Sequence, residues 1–184
     1  MKLNAAQLRA GKSKLKTQNP KLKRNDIYII LDNVLDTYNI GSIFRLADAV
    51  AAQKIYLCGG TETPPNHRIK KASINTTEWV DWVYKESAVE AINELRTTNS
   101  KLTIVAIEQS SKSVPYDQFS YNLPICLIVG NETTGISKEV LRLTDGVVEL
   151  PMFGVNISLN VIVSLGIVLY KVIEDNDLSA PNLK

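Results

Sequence analysis

One histidine, His67, and two cysteines, Cys58 and Cys126, are all that this chain of 184 residues offers for imidazole or thiolate chemistry. A His-based metal cluster cannot be assembled from one imidazole, and two distant cysteines do not make a zinc site, so no metal is expected. A serine–histidine triad would have to use His67, in a polar loop without a nucleophile elbow. Both cysteines sit inside apolar runs, which fits buried, reduced thiols and a cytoplasmic address. Neither G-x-x-x-x-G-K-[ST] nor G-x-G-x-x-G occurs, so the two common phosphate-cradling loops are excluded. The opening MKLNAAQLRAGKSKLKT has no apolar core of the kind a secretory signal needs. Leu150–Tyr170 is uncharged and long enough to span a bilayer. Pro151, Gly154, Asn156, Ser158 and Asn160 break up its first half, so a buried helix is expected there and not a membrane span.

What remains is an ordinary globular composition, 45% apolar and 22% charged, in a chain long enough for one domain with a sizeable core. Its charge is unevenly placed. Of 21 Lys and Arg, eight fall within residues 1–25, which hold no acid, so 13 stand against 19 Asp and Glu in the remainder. A basic arm on a mildly acidic body suggests a polyanionic partner, since cations gain affinity by displacing counterions from phosphates. Lys12, Lys14, Lys16, Lys21, Lys23 and Arg24 are therefore candidate RNA contacts. The expected organisation is an arm at 1–25, a domain at 26–175 and a tail at 176–184.

Short β-branched and apolar runs alternate with helical patterns. Ile27–Asp32, Lys54–Gly59, Leu102–Glu108 and Leu123–Val129 read as buried strands, with WVDWVY and VVEL as shorter ones. Asn39–Val50, SKEVLRL and SLNVIVSLGIVLYKVI read as helices. SAVEAINELRTT does too, with Ser87 and Glu90 at capping-box spacing. GTETPPNHRIKKASINTTE reads as a loop. Continuous apolar strands between helices predict an α/β fold, with a mostly parallel sheet covered on both faces. Ligands of such sheets collect beyond the carboxyl ends of the strands, which directs attention to three strand-to-helix loops.

In the first loop, NVLDTYNIG, Asn39 is either the N-cap of the next helix or a functional amide. Arg45 falls opposite the apolar face formed by Ile43, Leu46, Ala47 and Val50, about one turn from the expected helix start. A cation so placed is disfavoured by roughly 0.3–1 kcal/mol. It is either a surface residue paired with a carboxylate such as Asp48 or a fork for a phosphate. In the second loop, GNETTGIS, two glycines around four polar residues suggest a tight path with free N–H groups for a ligand. Glu132 emerges there as a surface carboxylate or a functional one. In the third loop, LPMFGVNISLN, Ser158 can cap the closing helix, leaving Asn160 in its first turn. Leu150, Met152 and Phe153 supply an apolar wall suited to an adenine ring. His67 reads as solvent-facing, or as part of a basic loop with Arg68, Lys70 and Lys71 touching RNA.

Taken in order, NIGSIFRLADA, IVGNETTGIS and LPMFGVNISLNVIVSLGIVLY resemble the three motifs of the SPOUT superfamily of methyltransferases, specifically its SpoU (TrmH-like) branch. The similarity runs from about Ile27 to Glu174. The resemblance implies a C-terminal trefoil knot, homodimers with the closing helix and first motif near the interface, and S-adenosylmethionine as cofactor. Carried over by position, Ile107, Gly130, Leu150, Met152, Ser158 and Leu159 would hold that cofactor. The implied reaction is methyl transfer to a ribose 2′-hydroxyl of RNA, transfer RNA being favoured over ribosomal RNA. Arg45 would bind the phosphate beside the target ribose and stabilise the forming alkoxide. Asn39 would hold Arg45 or the ribose, and Glu132 would orient Arg45 or Asn39. Ser158 and Asn160 would complete the site. A second serine that the family often carries soon after the asparagine is absent from NVIVSLG. The competing readings are a non-catalytic knotted RNA-binding protein and a SPOUT enzyme that methylates a base.

Overall fold

The computed structural model describes residues 23–179. Seven strands form one sheet in the order β3-β2-β1-β6-β4-β7-β5, and every pair of neighbours runs parallel. The strands are β1 (Asn25–Asp32), β2 (Ala52–Cys58), β3 (Trp82–Lys85), β4 (Thr103–Ile107), β5 (Val114–Pro115), β6 (Ile125–Gly130) and β7 (Gly146–Glu149). The helices are α1 (Thr37–Ala49), α2 (His67–Ser73), α3 (Ala88–Thr98), α4 (Lys138–Leu141) and α5 (Val161–Asp175).

Strand alternation explains why the central strands read as unbroken apolar runs. Ile27, Ile29 and Leu31 of β1 and Ile125, Leu127 and Val129 of β6 enter one core beneath α1, α2 and α5. Ile30 of β1 and Cys126 and Ile128 of β6 enter a second core beneath α3 and α4. A strand buried on both faces has no polar side to show. Cys58 and Cys126 are both free thiols in the second core. Burial, with Asp32 and Glu90 adding to it, pushes the Cys58 thiol up to about 12, which leaves it inert as a nucleophile.

The closing helix buries Leu165, Val168, Leu169 and Val172, a single stripe at helical spacing, against the first core. Each such side chain contributes about 1.5–3 kcal/mol through burial. Ser87 caps α3 by accepting from the Glu90 N–H at 3.1 Å, as its spacing suggested. The Glu90 carboxylate reaches back one residue further than in a standard capping box, to the N–H of Glu86.

Three local expectations fail. The first helix begins at Thr37, with Asp36 as its N-cap accepting from the Tyr38 N–H at 2.7 Å, so Asn39 and Gly41 lie inside it. Arg45 is then its ninth residue, beyond the reach of the N-terminal dipole that seemed to disfavour it. Asn160, not Ser158, caps α5, accepting from the Ile162 N–H at 2.8 Å. The stretch expected to be a loop contains α2, capped by Asn66, whose side chain accepts from the N–H groups of Arg68 and Ile69.

Gly41 explains how α1 and α2 meet. A Cβ there would stand 2.6 Å from both the Ala72 Cβ and the Ile69 carbonyl oxygen. Only a hydrogen fits between the two helices at that point, which offsets the roughly 0.5–1 kcal/mol that glycine costs inside a helix.

Candidate active site

The register aligns Asp32 of β1 with Cys58 of β2 and with Gly130 of β6, so the carboxyl ends of the central strands form one rim. Above β6, β4 and β7 on that rim lies a cavity of about 540 Å³. All six residues proposed from the sequence to hold a cofactor line it: Ile107, Gly130, Leu150, Met152, Ser158 and Leu159. Glu132 and Asn160 line it as well.

The second loop is built by its own side chains. Asn131 accepts from the N–H groups of Thr133 and Thr134 and donates its amide to the Asn33 carbonyl at 2.9 Å. The Gly135 N–H closes the turn on the Asn131 carbonyl, the Ile136 N–H donates to Glu108, and the Ser137 N–H donates to Asp32. The N–H groups expected to await a ligand here are therefore already engaged within the chain. The charged group that the loop presents to the cavity is the Glu132 side chain, beside Asn131 and Thr133.

Glu132 is the junction of the site. Its Oε1 accepts from the Asn39 amide at 2.9 Å and the Asp36 N–H at 3.1 Å, and its Oε2 accepts from the Leu35 N–H at 3.1 Å. The Asn39 Oδ1 in turn accepts from the Asn160 amide at 3.3 Å. One relay, Glu132–Asn39–Asn160, thus crosses all three loops. Within it the Glu132 carboxylate meets Asn39 and not Arg45, and Asn39, only 4% exposed, does not cap the helix. Partial burial pushes the Glu132 carboxyl upward. The hydrogen bonds from Asn39, Leu35, its own N–H and Asp36 outweigh that and hold it below the usual glutamate range.

Arg45 stands apart. It is exposed, does not line the cavity and makes no hydrogen bond or ion pair among the described residues. Asp48, its expected partner, instead accepts from the Trp79 indole at 2.8 Å. Six residues separate Arg45 from Asn39, roughly 9 Å along the helix axis. Arg45 lies one turn beyond Gly41 and so on the same flank, which faces α2. His67, Arg68, Lys70 and Lys71 of α2 are exposed, and none of them forms an ion pair among the described residues.

Of the basic arm, Lys12, Lys14, Lys16 and Lys21 lie outside the described residues. Lys23 is exposed. Arg24 is not turned outward: its guanidinium donates to the carbonyls of Ala52, at 3.0 Å, and Trp79, and so pins the entry to β1. Ser158 is exposed on the cavity wall and caps no helix. Among the described residues, no group of three or more His, Cys, Asp and Glu is arranged to hold a metal ion.

Two cavity carboxylates were missed from the sequence. Glu108 follows β4, its Oε1 accepting from the Gln109 N–H and its Oε2 from the Ile136 N–H at 2.8 Å. Glu149 ends β7 and accepts from the Ser113 hydroxyl at 2.8 Å. The signal for both was an acid at the carboxyl end of an apolar strand.

The sequence pattern of the SpoU rRNA Methylase family matches residues 26–170. The chain is 33% identical over 153 residues to the tRNA (guanosine(18)-2′-O)-methyltransferase of Aquifex aeolicus, covering 81% of this chain and 69% of that protein. Among solved structures, an AdoMet-bound rRNA methyltransferase from Sinorhizobium meliloti matches with a TM-score of 0.77 at 28% identity. That match covers 86% of this chain but only 59% of the Sinorhizobium chain. The A. aeolicus TrmH/SpoU tRNA modifying enzyme matches with a TM-score of 0.77 at 28% identity, covering 96% of this chain and 90% of that one.

Proposed function

The chain belongs to the SpoU rRNA methylase family, and on that premise we propose that it transfers a methyl group from S-adenosylmethionine to a ribose 2′-hydroxyl of RNA, transfer RNA before ribosomal RNA. The observation that carries the proposal is the relay of Glu132, Asn39 and Asn160, which ties the three loops together at the mouth of the cavity.

The cavity suits the cofactor. Its volume lies within the range of small-molecule sites, and Ile107, Leu150, Met152 and Leu159 give it apolar walls for a flat heterocycle. When bound, S-adenosylmethionine supplies an electrophilic methyl group on a positively charged sulfur. The work left to the chain is to bring the ribose oxygen into line and to stabilise the charge that grows on it. Arg45 does the latter. Its guanidinium stays protonated, so it acts on the phosphate and the developing alkoxide as a fixed positive charge and not as a base. Asn160, held by Asn39, offers its amide at the cavity wall, and Ser158 offers a hydroxyl.

RNA approaches over the flank of α1 and α2. The support is the set of exposed, unpaired cations at Arg45, His67, Arg68, Lys70 and Lys71. The arm, with Lys12, Lys14, Lys16, Lys21 and Lys23, extends that reading. The active form is a homodimer with the closing helix and the first motif near its interface, which also covers the third loop. In support, Phe153, Val155, Val163 and Tyr170 are exposed at 97%, 102%, 47% and 57%. The trefoil knot belongs to the same reading, supported by the contact of the third loop with the segment after β4, where the Gln109 amide donates to the Ile157 carbonyl at 2.6 Å. Among the described residues no helix is long and apolar enough to cross a membrane, and the cytoplasm is the compartment proposed.

The test is to incubate the protein with S-adenosylmethionine and a panel of unmodified transfer and ribosomal RNAs, then analyse digested nucleosides by mass spectrometry. A methyl group on a ribose is the expected result. A methyl group on a base, or none in protein that binds RNA, overturns the proposal in favour of a base methylase or a non-catalytic binder.

A further inference from the structure

The charged side chains of the cavity are all acidic. Glu108, Glu132 and Glu149 line it, and no Lys, Arg or His does. The three are spread around its wall and do not converge as metal ligands. The chain's own donors fix two of them, two backbone N–H groups holding Glu108 and the Asn39 amide with two backbone N–H groups holding Glu132, while Glu149 shares the single proton of the Ser113 hydroxyl with the Ser110 carbonyl. Oriented donors of this kind keep a carboxylate in place without neutralising its charge, whereas a paired Lys or Arg would cancel it.

We infer that Glu108, Glu132 and Glu149 make this cavity select the cationic sulfonium cofactor over the neutral thioether product. The inference rests on the proposed function and gives it a direction. S-adenosylmethionine carries one more positive charge than S-adenosylhomocysteine, and the two share nearly all their shape. Apolar walls cannot tell them apart by more than the missing methyl group; a field from three carboxylates with no cation among them can. A charge anywhere in a cavity of this size lies within roughly 10 Å of all three, about one Debye length at moderate salt. Losing the positive charge at sulfur removes the attraction, so the product is released once the methyl group has gone.

Glu149 is the residue on which to test this. Both oxygens of Glu108 accept backbone N–H groups, so an amide there would set donor against donor. Glu149 accepts one hydroxyl through Oε2, and its Oε1 meets no donor among the described residues, so Glu149→Gln keeps shape and removes charge. Calorimetry on the full chain with each ligand, at low and high salt, reads the effect. For the native chain, S-adenosylmethionine should bind about tenfold more tightly at low salt. That ratio should shrink several-fold at high salt, where the Debye length falls to about 3 Å at 1 M. Glu149→Gln should weaken S-adenosylmethionine about three- to tenfold and move S-adenosylhomocysteine less than twofold. Equal affinities with no salt dependence, or a variant that weakens both ligands alike, overturn the inference and leave the proposed function standing. Binding of neither ligand to folded protein overturns the assignment of the cavity and this inference with it. The salt series on the native chain decides the matter even if the variant does not fold.

Discussion

The carboxylates of the cavity and the cations on the flank of α1 and α2 are charged groups serving one proposed reaction, yet the fold holds them in opposite ways. Glu108 and Glu132 have every oxygen engaged by a donor of this chain. Arg45, His67, Arg68, Lys70 and Lys71 have no such partner among the described residues and point to solvent. The carboxylates are part of the architecture, so their loss reaches the fold. The cations wait for a partner from outside, so their loss reaches only what that partner does.

The largest contrast is expected at Arg45. Arg45→Ala should lower methyl transfer about 10²–10³-fold, the scale of removing one oriented stabiliser of a developing oxyanion. The melting temperature should stay within about 2 °C, as for other surface changes. Single-turnover transfer and thermal unfolding of the same preparation read both, and a large fall in melting temperature would erase the distinction. Glu132→Ala should show the other pattern. It removes the acceptor of the Asn39 amide and of two solvent-accessible backbone N–H groups, costing about 0.5–1.5 kcal/mol of stability, and it leaves Asn39, the partner of Asn160, less firmly held. Transfer should fall together with the melting temperature.

Acid should sharpen the same contrast. The Glu132 carboxyl is held below its unfolded value, so its contribution is complete above that value and is lost as pH falls through the folded one. Unfolded glutamate titrates near 4.3. Melting temperatures followed from neutral pH down to about 3 should therefore drop less steeply for Glu132→Gln than for the native chain. The smallest effect belongs to α2. The double change Lys70→Ala, Lys71→Ala should weaken RNA binding several-fold and flatten its logarithmic salt slope by about 1.4–1.8. The melting temperature should not move, and an unchanged slope would remove α2 from the RNA face.

The central strands were legible because a parallel strand buried on both faces leaves only apolar residues to read. The three loops were legible as places, since strand ends and helix starts mark them. Which polar residue caps each helix was not. DTYN offers Asp36 and Asn39 within three residues, and SLN offers Ser158 and Asn160. In each case only the structure shows which oxygen meets the free N–H. The choice matters, because capping by Asp36 leaves the Asn39 Oδ1 available to the Asn160 amide. Helix α2 escaped notice because it buries only Ile69 among its apolar residues of any size, too few to show a period. The cavity acids Glu108 and Glu149 escaped because each ends a strand, where an acid can simply face water.

The contact at Gly41 has a mechanical consequence. With room for nothing but a hydrogen, α1 and α2 are clamped together and cannot slide past each other or part without opening the first core. The gap between the Arg45 guanidinium and the cations of α2 is therefore set by the fold to within the reach of their side chains. The flank works as a caliper with its jaws locked. On the proposed reading, an RNA strand held along this flank supplies the matching spacing between its own phosphates, and any bending needed to seat its ribose falls to the RNA.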